Sequence, residues 1–117
     1  SNHEAAMATL EAAKKKIVDG TSVMFFPEGT RSRDGKLKRC KKGAFRMAAD
    51  LGIPILPLTV TGTRDVLPAG TLDLMPGSAR QIIHPPVPVE GLTASDCSEL
   101  SNQVREIIAS ALPADQV

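Results

Sequence analysis

Apolar residues recur at helical spacing in three stretches of the chain, which predicts three amphipathic helices. These stretches are residues 3–18, residues 42–51 and a final one that begins after a capping Thr93 or Ser95. A glycine follows each of the first two, as expected for a left-handed C-cap. The last helix is expected to turn one apolar face to the core, formed by Leu100, Val104, Ile107, Ile108 and Ala111.

Three shorter apolar runs lie between these helices and predict extended structure. SVMFF at 22–26 is typical of a buried strand and ILPLTV at 55–60 of a second one, although Pro57 is tolerated only at a strand start, edge or bulge. Residues 79–89 begin as a strand and end in a proline-rich extended segment. Helices that alternate with strands in this order predict an α/β domain with helices packed on a largely parallel sheet.

Composition limits the number of domains and the kinds of partner that the chain can be expected to have. At 117 residues, with 42% hydrophobic and 23% charged content, the chain is expected to fold as one domain. Three Phe, with no Trp or Tyr, supply few stacking surfaces for single-stranded nucleic acid, which is therefore not an expected partner. Two isolated cysteines suggest a reducing compartment, and the longest apolar run, 53–60, is too short to span a bilayer. The chain itself is thus expected to be soluble.

Charge is distributed unevenly along this nearly neutral chain. Residues 28–46 contain eight basic and two acidic residues, a net charge of +6, whereas the remainder contains six basic and eleven acidic residues, a net charge of −5. Such a concentration of positive charge favours an anion-binding face. The alternative at this point is a solvated basic loop without a ligand.

The stretch FFPEGTRSRDG at 25–35 opens this basic region and has the residue types of a phosphate-binding loop. Gly29 allows a ligand to approach the backbone, Arg31 offers a planar fork for a phosphate, and the Thr30 hydroxyl can donate a further hydrogen bond. Glu28 could fix Arg31 or accept a hydrogen bond from a polyol hydroxyl. The competing interpretation is a charged turn with a Glu28–Arg31 surface pair. No GxxxxGK[ST] motif is present, so nucleotide hydrolysis has little support.

Three blocks in this region resemble the glycerolipid acyltransferases, a family that includes the 1-acyl-sn-glycerol-3-phosphate acyltransferases. FPEGTRS at 26–32 is similar to the third signature block of the family, KKGAF at 41–45 to its F-K-x-G-A-F segment, and IPILPL at 53–58 to its fourth block. The resemblance implies that residues 1–117 are the carboxy-terminal part of a single, incomplete acyltransferase domain. Cys40 stands where the family usually has Phe. Cys40 as a nucleophile is a disfavoured alternative, because the family uses no cysteine.

The resemblance also implies a substrate site and a reaction. Glu28, Gly29, Thr30 and Arg31 would form the acceptor pocket, with Arg31 on the glycerol phosphate and Lys41 as a second contact to it. The family moves an acyl group from acyl-CoA or acyl carrier protein to 1-acyl-sn-glycerol 3-phosphate and thereby forms phosphatidic acid. No metal or cofactor is implied, and the complete protein is expected at the cytoplasmic face of a membrane.

The catalytic dyad of the family, an H-x-x-x-x-D motif, is not found in this chain. The residue five positions after His3 is Ala8, and the residue five positions after His84 is Val89. We therefore expect no catalytic residue here and no acyl transfer by these 117 residues alone. Glycerol 3-phosphate or another lysophospholipid is the alternative acceptor. A non-catalytic module that binds phosphate or an anionic membrane is the alternative function.

Overall fold

The computed structural model describes residues 2–29, 32–66, 72 and 74–117. Within them lie four α-helices, α1 (Asn2–Val18), α2 (Gly43–Leu51), α3 (Thr63–Val66) and α4 (Cys97–Ala109), and two strands, β1 (Leu58–Thr61) and β2 (Arg80–Ile83). Single 3-10 turns cover Ala94–Asp96 and Ala114–Gln116. The three predicted helices are confirmed, and glycines 20 and 52 have the positive φ angles expected of helix stops.

The predicted largely parallel sheet is not confirmed, because the strand pair found in the described residues is antiparallel. Leu58 lies opposite Ile83 and Thr61 opposite Arg80. A further antiparallel bridge joins Ile55 to Val87 through two backbone hydrogen bonds of 3.0 and 2.7 Å. Prolines interrupt the ladder between this bridge and the strands, because a proline has no N–H to donate.

The predicted buried strand at 22–26 is also absent. No strand in the described part of the chain pairs with these residues, and the side chains of Met24 and Phe26 are 64% and 78% exposed. Val23 and Phe25 are half-buried. An apolar run indicates a strand only if a neighbour accepts its backbone hydrogen bonds, and the described residues provide none.

The hydrophobic core lies between α2, α4 and the extended segment that follows β2. Its buried members are Cys40, Phe45, Val87, Val89, Leu100 and Val104, with Ile55, Leu92, Ile107 and Ile108 packed against them. The face predicted for the last helix is therefore largely the one that is buried. On the other side of α2, Leu10 of α1 lies against Gly43, and Lys14 makes a 3.5 Å ion pair with Asp50.

A polar contact ties β1 to α4 within this core. The Thr59 side chain is fully buried and its hydroxyl donates a 2.9 Å hydrogen bond to the carbonyl oxygen of Ile108. The hydroxyl oxygen of Thr59 also lies 2.7 Å from Nε2 of His84. Since the hydroxyl proton is already used, His84 is the donor of the second bond and carries its proton on Nε2. This contact gives His84 a structural role.

Candidate functional site

The loop at 26–29 makes a tight turn at the start of the FPEGTRS block. The amide of Gly29 donates a 2.9 Å hydrogen bond to the carbonyl oxygen of Phe26. Gly29 has a φ of +78°, a left-handed conformation in which a side chain is strained. Glycine at this position therefore satisfies a backbone requirement of the turn.

The segment 36–42, which we call the basic segment, runs alongside this loop. It contains five cations, Lys36, Lys38, Arg39, Lys41 and Lys42. The amide of Lys41 donates a 2.7 Å hydrogen bond to the carbonyl oxygen of Pro27, and the amide of Lys38 donates a 2.8 Å bond to Oε2 of Glu28. The two contacts join residues that are 14 and 10 positions apart, and they hold the basic segment against the loop.

The Lys41 side chain lies directly over Gly29. A methyl group built on Gly29 would be 2.8 Å from Cε and 2.9 Å from Nζ of Lys41, closer than non-bonded atoms approach each other. The absence of a side chain at position 29 therefore leaves the space that the Lys41 ammonium group occupies. Two residues separated by twelve positions, both implied by the family resemblance to belong to the acceptor site, are thus adjacent in the fold.

Three of the five predicted site residues are brought together in this way: Glu28, Gly29 and Lys41. Thr30 and Arg31 lie outside the described residues. The carboxylate of Glu28 has a role that the sequence did not suggest, because it accepts a hydrogen bond from the backbone of Lys38. It thereby anchors the basic segment, a contact that uses one of its two oxygens.

Cys40 lies within the basic segment but faces the core, where it is buried against Phe45 and its neighbours. Burial raises the pKa of the Cys40 thiol, and the nearby Glu28 carboxylate raises it further, while Arg105 acts in the opposite direction. A raised pKa disfavours the thiolate, which is the nucleophilic form. The structure therefore supports a packing role for Cys40 rather than a catalytic one.

Sequence reasoning missed the contribution of α4 to this region. A cleft of about 600 Å³ separates the basic segment from the first half of α4 and is lined by Arg39, Cys40, Lys41, Lys42, Ser98, Ser101 and Asn102. Arg105, two turns further along α4, reaches the backbone of the basic segment at Leu37 and Lys38. These partners are separated by 67 and 68 positions, and no short motif connects them.

The helices of the described residues include none that is both long enough and apolar enough to cross a membrane. The residues after Pro113 also contact the basic segment. They form a turn in which the carbonyl oxygen of Gln116 accepts a 2.7 Å hydrogen bond from Leu37. Gln116 is therefore a fourth support of the basic segment, after Pro27, Glu28 and Arg105.

Comparison with known proteins agrees with the resemblance found in the sequence. Residues 1–61 match the family model described as Acyltransferase. The chain is 42% identical over 99 residues to a chloroplastic 1-acyl-sn-glycerol-3-phosphate acyltransferase of Brassica napus, which covers 83% of this chain and 28% of that protein. It is 34% identical over 95 residues to the human 1-acyl-sn-glycerol-3-phosphate acyltransferase alpha, which covers 81% and 34% respectively.

The fold is also similar to a solved structure. The crystal structure of PlsC, the 1-acyl-sn-glycerophosphate acyltransferase of Thermotoga maritima, superimposes with a TM-score of 0.77 at 33% sequence identity. The match covers 90% of this chain and 45% of PlsC. The chain thus spans between 28% and 45% of the length of these three proteins.

Proposed function

The chain belongs to the acyltransferase family, and on that premise we propose that the protein containing it acylates 1-acyl-sn-glycerol 3-phosphate. The donor is an acyl thioester, either acyl-CoA or acyl carrier protein, and the product is phosphatidic acid. The 117 residues supply the part of the site that holds the phosphate of the acceptor. The complete protein acts at the cytoplasmic face of a membrane, where its lipid substrate resides.

One observation carries this proposal, namely the position of the Lys41 ammonium group over Gly29 at the start of the loop. A phosphate bound at this turn would meet a cation and a backbone without a side chain, both of which favour close approach of an anion. Arg31 and the Thr30 hydroxyl, which follow Gly29 directly, would complete the site. Glu28 supports the site indirectly, because its carboxylate accepts a hydrogen bond from the Lys38 amide and so holds the basic segment against the loop.

The chemistry requires a catalytic base, and the H-x-x-x-x-D motif of the family is not found in this sequence. Acyl transfer joins the acceptor hydroxyl oxygen to the thioester carbonyl carbon, breaks the carbon–sulfur bond and releases a thiol. A general base must take the hydroxyl proton, and a histidine oriented by a carboxylate is suited to this step. His84 instead donates its Nε2 proton to Thr59, and the side chain of His3 lies outside the described residues. We therefore propose that the base lies in another part of the complete protein.

This proposal predicts that the chain binds glycerol 3-phosphate but does not release thiol from acyl-CoA. In an NMR titration with glycerol 3-phosphate, the amides of Gly29 and Lys41 should shift. Lys41→Met should weaken binding roughly threefold to tenfold, because it removes one charge-assisted hydrogen bond from a largely exposed site. Lys16→Met, on the exposed surface of α1, is the matched control and should change the affinity little.

Two results would contradict the proposal. The first is equal weakening by the two substitutions, which would indicate a diffuse electrostatic effect rather than a site. The second is titration that leaves the Gly29 amide unmoved while anionic vesicles bind in a salt-sensitive way. That pattern would favour the alternative of an anionic-membrane module, which the +6 charge of residues 28–46 makes the second candidate.

A further inference from the structure

Arg105 in α4 makes two hydrogen bonds to the backbone of the basic segment. Its Nη2 lies 2.8 Å from the carbonyl oxygen of Leu37, and its Nε lies 3.2 Å from the carbonyl oxygen of Lys38. The side chain is half-buried, and Arg105 is the one basic residue of the helix. Its planar fork thus joins two consecutive peptide groups, a geometry that a lysine ammonium group does not reproduce.

Both polar backbone groups of Lys38 are thereby hydrogen-bonded. Its amide donates to Glu28 and its carbonyl oxygen accepts from Arg105. Leu37 is held in the same manner, with its amide bonded to Gln116 and its carbonyl oxygen to Arg105. Residues 37 and 38 are therefore fixed by three segments that are far apart in sequence, and Lys41 lies three residues further along.

Arg105 adds a positive charge next to an already basic part of the chain. The basic segment against which it lies contains five cations, and Arg105 donates there to the carbonyl oxygens of Leu37 and Lys38. An anion bound at the neighbouring loop would offset the accumulated positive charge, so the arrangement favours an occupied phosphate site.

We propose that Arg105 is a positioning residue for the acceptor phosphate, acting through the backbone of residues 37 and 38 to keep the Lys41 ammonium group over Gly29. This inference rests on the proposed function and extends it to a residue in the last helix. Arg105 touches no reacting atom, so its loss should weaken acceptor binding and leave the chemical step unchanged. In the complete acyltransferase, Arg105→Met should raise the KM for lysophosphatidate about threefold to fivefold, no more than Lys41→Met does, and change kcat by less than about twofold.

Binding by the chain itself separates this inference from the proposed function. Wild-type binding of glycerol 3-phosphate, followed by NMR, tests the function, and its absence would overturn both. If the wild type binds, Arg105→Met should bind several-fold more weakly, Arg105→Lys should fall between them, and Gln103→Met on the exposed part of α4 should match the wild type. Unchanged binding by Arg105→Met would overturn the inference alone.

The alkylation rates of the two buried cysteines distinguish local opening of the basic segment from a general loss of stability. Cys40 lies in the basic segment, whereas Cys97 begins α4. Alkylation followed by peptide mass spectrometry should show Cys40 reacting about tenfold faster in Arg105→Met, with Cys97 changed less than about twofold, since local opening exposes only the nearby thiol. Because Arg105 lowers the pKa of Cys40, its removal makes the thiol less reactive, so faster reaction must come from opening. Equal acceleration at both cysteines, or at neither, would contradict a positioning role.

Discussion

The hydrophobic core and the basic segment are neighbours in this fold, yet they are held in place by different interactions. The core is formed by apolar side chains such as Phe45, Val89 and Leu100, which pack where α2 and α4 meet the extended segment after β2. The basic segment exposes most of its side chains and is held through its backbone, by Glu28, Arg105 and the carbonyl oxygen of Gln116. Apolar burial therefore stabilises the fold, and polar contacts position the site.

This difference implies that substitutions in the two regions should have separable effects. A core substitution should lower the free energy of unfolding and affect binding only through the folded fraction. A substitution at the polar contacts should leave most of the stability intact and weaken binding directly. Cys40 lies at the boundary, because it belongs to the core and is also part of the basic segment.

The largest effect is expected for Leu100→Ala in the core. Leu100 is 2% exposed, so its truncation should lower the free energy of unfolding by about 2–5 kcal/mol, as is usual for a large-to-small change at a buried site. Leu72→Ala is the control, because that side chain is 96% exposed. Urea denaturation followed by circular dichroism measures both variants, and a loss below about 1 kcal/mol for Leu100→Ala would contradict this account of the core.

A smaller effect on stability is expected for Glu28→Ala at the polar contacts. Its carboxylate makes one hydrogen bond to a partly exposed backbone, so the loss should be about 1 kcal/mol, while affinity for glycerol 3-phosphate should fall several-fold as Lys41 leaves Gly29. Glu28→Gln keeps an acceptor oxygen and should retain most of the binding. If Glu28→Ala binds as tightly as the wild type, the carboxylate does not position the basic segment.

The smallest effect is expected in the pH dependence of stability at Cys40. The folded state raises the pKa of this thiol, so the unfolded state releases its proton first as the pH increases. The stabilisation is fully present below the thiol pKa of the unfolded chain and is lost as the pH rises through the folded value. Cys40→Ala should therefore lose less stability than the wild type as the pH rises above the ordinary thiol pKa of about 8.5. Parallel curves for the two proteins, measured by denaturation at each pH, would contradict this.

The helices and the residue types of the site could be predicted from the sequence for a physical reason. A helical face depends on spacing within about twenty residues, which is why Leu100 and Val104 were placed correctly in the core. The absence of a strand at 22–26 could not be predicted in the same way, because an apolar run does not reveal whether a partner strand lies beside it. The antiparallel pairing of β1 and β2 was not predicted. It depends on the path of the chain that connects the two strands, not on the residues of either strand.

The sequence by itself determined the family, the concentration of positive charge in residues 28–46 and the residue types of the FPEGTRS loop. It did so because these properties reside in short stretches of residues and their order. The tertiary structure alone decided that Lys41 lies over Gly29 and that Glu28 and Arg105 hold the segment between them. The hydrogen bonds of Glu28 and Arg105 join residues 10 to 68 positions apart, and only the folded chain brings their atoms within hydrogen-bonding distance.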